Sequence, residues 1–75
     1  MPSSNDIEKK LKILLPHWIK HNQEHAQEFR TWAERAETSR QDLLAAAEHL
    51  DKASEALGAA LHKLGGSVPL KGEHD

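Results

Sequence analysis

Ala36-Glu37-Thr38-Ser39-Arg40-Gln41-Asp42-Leu43 contains the one turn candidate in the middle of the chain, Thr38-Ser39, and its reading decides the fold. Thr38 with Gln41, or Ser39 with Asp42, spells the start of a helix. In that pattern a hydroxyl accepts a bond from a backbone N–H three residues on, and the later side chain returns one. Everything on either side of this point is helix-forming. A connection this short makes the flanking helices antiparallel neighbours.

Upstream, the periodicity predicts a first helix from about Asn5 to about Glu37. Asn5 followed by Glu8 marks its start. Its apolar positions are Ile7, Leu11, Leu14, Leu15, Trp18, Phe29, Trp32, Ala33 and Ala36. Pro16 removes a backbone donor and collides with the carbonyl four residues back, so the helix either kinks or breaks there. Downstream, a second helix is expected from about Arg40 to about Leu64. Its stripe is Leu43, Ala46, Ala47, Leu50, Ala53, Ser54, Leu57, Leu61 and Leu64, narrow and alanine-rich, which favours close approach to another helix. Gly65-Gly66 supplies a stop, with Pro69 beyond it. Residues 1–66 thus form one helical-hairpin domain, and 67–75, short of apolar residues, form a flexible tail.

Folding back at Thr38-Ser39 leaves the segment from Asn5 to Lys12 beyond the end of the second helix. Ile7 and Leu11 then need another surface, and a bare pair of helices has no third wall for Trp18, Phe29 and Trp32. The expected remedy is a homodimer in which two hairpins form a four-helix bundle.

The chain has 75 residues, no cysteine and a formal net charge of −2. Disulfides, thiolate metal sites and cysteine nucleophiles are therefore excluded. Basic and acidic residues are interspersed, which argues against nucleic-acid and anionic-membrane partners. No apolar run reaches transmembrane length, and Met1-Pro2-Ser3-Ser4-Asn5-Asp6 lacks the regions of a signal peptide, so a cytoplasmic protein is expected.

His17, His21 and His25 recur every four residues. Such a step turns a helical side chain by about 40° and climbs about 6 Å, so the three imidazoles make one slanted row. Neutral imidazole is a good ligand for borderline metals, and Glu24 and Glu28 stand close enough to add oxygen ligands or orienting acceptors. Helical-wheel arithmetic places His25 near the middle of the first helix's apolar face, with His21 beside it and His17 at the margin. His21, Asn22 and His25 would form a polar belt facing Ser54. A buried belt of this kind must be hydrogen-bonded or metal-ligated. His21-Asn22-Gln23-Glu24-His25 also reads as the H-x-x-E-H of some zinc peptidases, which need a larger fold, a third ligand and a cleft. Haem held by two histidines across a dimer is a further reading, although the chain is small for that pocket. His49 lies off the stripe, His62 suits a helix C-terminus, and His74 lies in the tail.

The run Leu14-Leu15-Pro16-His17-Trp18-Ile19-Lys20-His21-Asn22-Gln23-Glu24-His25-Ala26, followed by Phe29 and Trp32, resembles a small helical domain of unknown function. The resemblance implies an association with nickel- or cobalt-handling proteins and a joint role for His17, His21 and His25. The expectation is a non-enzymatic protein that binds divalent nickel, cobalt or zinc through His17, His21, His25, Glu24 and Glu28, with a metal-handling protein as partner. The alternative is a structural or protein-interaction dimerisation module whose inward histidines are hydrogen-bonded.

Overall fold

The structure, a computed structural model, describes residues 4–66. The expected tail at 67–75, with Pro69 and His74, lies outside them. Two helices make up the described residues: α1 (Ser4–Ala33) and α2 (Arg40–Lys63), packed as a hairpin. The all-α hairpin inferred from the sequence is therefore correct.

Two alternating series of steps of three and four hold it together. On α1 the inward residues are Leu15, Ile19, Asn22, Ala26, Phe29 and Ala33, continued in the turn by Ala36. On α2 they are Leu43, Ala47, Leu50, Ser54, Leu57, Leu61 and Leu64, whose last member is the C-cap. This mean spacing of 3.5 residues keeps one seam facing its partner along the whole contact, as in a coiled coil. The buried members are Leu15, Ala26, Ala33 and Ala47. Three are alanines, whose small side chains let the helix axes approach closely.

The apolar face of α1 read from the sequence needs correction. Leu14, Trp18 and Trp32 are exposed, whereas Ile19 and Ala26 face α2. The large residues dominate any average of the pattern, but the alanines fix the seam because only they permit contact of the backbones. The α2 stripe stands, except that Ala53 is exposed.

The ends also differ in detail. α1 begins at Ser4, so Asn5 is already helical and does not cap it. It stops at Ala33 rather than near Glu37, and residues 34–39 make the connection. Pro16 does not break α1, which runs unbroken through it. The carbonyl of Lys12 loses one donor there, while Leu15 and Ile19 on either side keep the helix pinned to α2.

Ser39 occupies the N-cap of α2 but makes no side-chain capping bond. Arg40 closes the turn in its place. Its Nε donates to the Ala33 carbonyl at 3.0 Å and its Nη2 to the Glu34 carbonyl at 3.3 Å. A cation thus sits on the carbonyls at the C-terminus of α1, that of Ala33 also accepting from the Ala36 N–H at 3.2 Å, at the favourable end of that helix dipole. At the far end, Gly66 N–H bonds the Leu61 carbonyl at 2.9 Å and Gly65 N–H bonds that of His62 at 3.0 Å. Both glycines have positive φ, near +90°. This is the Schellman ending that the Gly-Gly pair predicts.

Candidate functional site

Each residue of a right-handed helix turns the side-chain direction by about 100°. Measured from Leu15, Ala26 and Ala33, the residues Ile7, Leu14, Trp18, His25 and Trp32 all fall about 60–100° to one side. Arg30 falls about 60° to the other. Measured from Ala47, Leu50, Leu57 and Leu64 likewise fall to one side and Asp51 to the other. The Arg30 guanidinium and the Asp51 carboxylate are paired across the helices, which fixes how the flanks adjoin. The polar flank of α1 lies beside the polar flank of α2, so the two apolar flanks also share one face of the hairpin.

That face is the most distinctive surface of the molecule. Trp18 is 40% exposed, Trp32 58%, Ile7 49% and Leu14 37%. Leu11 and Phe29 on α1, and Leu43, Leu50, Leu57 and Leu61 on α2, are only half covered. Ile7 lies beyond the end of α2, in a segment from Asn5 to Lys10 that is exposed throughout. The need for another surface, read from the sequence, is thus met by nothing among the described residues.

The histidine row crosses this face obliquely: His25 lies on it, His21 at its outer edge about 130° from the seam, and His17 on the back of α1. Its rings form a ladder with Phe29, the centroids of His17 and His21 lying 6.0 Å apart, those of His21 and His25 4.5 Å, and those of His25 and Phe29 6.1 Å. The expectation that His21 and His25 point into the core of the hairpin is overturned. Both are exposed, as is His17. The seam that decides what is inward runs through Asn22 and Ala26, one position further along the chain than each histidine, and one residue is a 100° turn. Of the expected polar belt, only Asn22 and Ser54 are on the seam, both half-buried. Counting back from the turn sets them level, and the Ser54 hydroxyl is buried without a hydrogen-bond partner among the described residues.

The two carboxylates take different places. Glu28 Oε1 lies 3.4 Å from His25 Nδ1, with the side chains 59% and 47% exposed. That is ion-pair contact rather than a well-formed hydrogen bond. Glu24 lies on the back of α1, bordering with His17, Lys20 and His21 a shallow depression of about 130 Å³. Among the described residues of one chain, no three histidine or acidic side chains are gathered closely enough to hold a metal ion. His49 and His62 on α2 are exposed and away from the row. No described helix is long and apolar enough to cross a membrane.

The residues missed from the sequence were Ile19 and Ala26 on the seam, and Arg40, the turn clasp. Alternating three- and four-residue spacing could have revealed the first two. Nothing local marks the third, because its acceptors belong to the preceding helix.

No curated protein and no solved structure matches the chain. A family pattern does, over the stretch that runs from the half-buried Leu11 to the C-cap of α2. The chain belongs to the family described as Domain of unknown function (DUF8180), matched across residues 11–64.

Proposed function

We propose that this protein is a non-catalytic association module whose apolar face seats a second copy of the same chain, giving a four-helix bundle. The observation that carries this reading is the spacing of the α1 stripe. Ile7, Leu11, Leu14 and Trp18 stand on one side of His21-Asn22, and His25, Phe29, Trp32 and Ala36 on the other, at the same intervals reversed. Two such stripes laid antiparallel about a two-fold axis therefore match along their whole length. Ile7 meets Ala36 of a second copy, Leu11 meets Trp32, Leu14 meets Phe29, and Trp18 meets His25. A closed two-fold pairing of this kind uses one self-complementary patch on both chains.

The overhang of α1 supports the same arrangement. Stacking α1 on the α2 of a second copy at equal height would leave Ile7 uncovered, whereas antiparallel α1 stripes extend it over the second copy's turn. The exposed apolar area is close to, and somewhat below, the total that a specific interface requires. A fully buried indole removes about 200–250 Å² from water, so Trp18 and Trp32 at the exposures given leave about 200 Å² per copy. Adding Ile7, Leu14, His25 and the half-covered leucines about doubles this, and two copies approach the total of about 1,000 Å² that a specific interface requires.

An association with nickel- or cobalt-handling proteins, implied by the sequence resemblance, fits a module that holds a partner or an ion rather than transforming a substrate. The deciding experiment is sedimentation equilibrium over a wide concentration range. A mass of two chains is expected at micromolar concentration, and a single-chain mass throughout, both without and with added zinc, would remove the proposal.

A further inference from the structure

We infer that the His21–His25 pairs of two copies together form a binding site for one divalent transition metal ion at the two-fold axis of that dimer; this rests on the pairing proposed above. The two rings occupy successive turns of α1 with centroids 4.5 Å apart. Histidines four apart on one helix face are a spacing at which two imidazoles chelate a single zinc. Among the described residues, one chain offers these two nitrogens and no third ligand close by, which makes the pair half of a site.

The stripe spacing supplies the remainder. Its centre of symmetry falls between His21 and Asn22, so the two-fold passes beside His21. By a rise of about 1.5 Å per residue, the midpoints of the chelating pairs of the two copies lie about 5 Å apart along the helices, the two His21 about 2 Å apart and the two His25 about 10 Å apart. That offset is within the reach of imidazole side chains. Four neutral nitrogens then surround one point, a donor set suited to tetrahedral zinc or cobalt. Glu28 beside His25 Nδ1 is placed as the carboxylate that commonly orients a ligating ring, leaving Nε2 for the metal. Without an ion, the middle of an apolar interface would hold four desolvated imidazoles. His17 lies toward the back of α1, beside Lys20 and Glu24, and is not part of the set.

Neither ring makes a hydrogen bond within the described residues, so no existing bond has to be broken when metal binds. Any proton carried by a ligating nitrogen is released on binding.

The test uses the full chain stripped with chelator, titrated with zinc while the solution mass is followed. Cobalt(II) serves as an optical probe of coordination. Expected are one ion per two chains, intense visible cobalt absorption of a four-coordinate site, and at least hundred-fold weaker binding in the double variant His21→Ala/His25→Ala. A His49→Ala/His62→Ala variant should bind as the parent does. A His21→Gln/His25→Gln variant retains polarity at the interface should the alanine form not fold. Chains that pair only when zinc is added also support the site. A dimer that takes up no zinc, or takes it up equally after both substitutions, overturns the site and leaves the association module standing. Chains that remain single with zinc present overturn both.

Discussion

The two flanks of the hairpin are built from the same two helices and have opposite chemistry. On one, Arg30 and Asp51 bridge α1 and α2, with Gln23, Glu34 and Glu55 also exposed to solvent. On the other, Ile7, Leu14, Trp18 and Trp32 stand uncovered around a row of histidines. The charged flank, Leu44 at 37% exposure apart, is finished as a surface, because exposed charges need only water. The apolar flank is not, and the difference indicates where a further chain belongs. It also explains why the seam can be so thin: no large side chain is fully buried within one copy, and a chain of this size is near the limit of a self-sufficient core.

Placing charge on each flank gives the largest contrast. Trp18→Glu with Trp32→Glu should abolish pairing, since buried tryptophans at the centre of an interface commonly contribute about 2–4 kcal/mol each. Gln23→Glu with Glu55→Gln on the charged flank should leave the sedimentation mass unchanged. Equal effects from both pairs would erase the distinction between the flanks.

A smaller effect is expected where the flanks meet. Ala47 is completely buried against α1, and Ala47→Leu should destabilise by about 1–3 kcal/mol because the axes must separate. Denaturant titration by circular dichroism measures this, and Ala53→Leu, at an exposed position, should be near neutral. Arg40→Ala should lose about 1 kcal/mol, since two carbonyls at the end of α1 exchange a charged donor for water. If its melting temperature matches the parent's, the turn is held by something other than this clasp. The smallest change belongs to Asp51→Asn. The Arg30–Asp51 pair is more than one-third exposed on both sides, so solvent screening reduces the expected loss to about 0.5 kcal/mol or less. A larger loss in a double-mutant cycle would mean that the charged flank contributes to pairing the helices as well as to solubility.

Much of the architecture was legible in the residues. Period and composition mark both helices, Thr38-Ser39 marks the turn within a few positions, and Gly65-Gly66 marks the end of α2 together with its hydrogen-bond pattern. The α2 stripe was legible because a single apolar series runs along that helix. α1 carries two such series, and their merging misled the reading. The seam series is small (Ala26, Ala33) and the flank series is large (Trp18, Trp32), so weighting by hydrophobicity turned the helix too far. That turn carried His21 and His25 inward on paper. The histidine row itself, its spacing and its companion Glu28 were correctly legible, since they follow from helix geometry alone. Which way the row faced was not.

Sequence by itself determined that this chain forms two helices, where they fold back, and that three imidazoles line up on one of them, because rise and turn per residue are properties of the backbone. Only the tertiary structure decided which stripe of α1 closes against α2. That choice depends on how near two backbones can come, and it is settled by the smallest side chains on each helix rather than by the most hydrophobic ones.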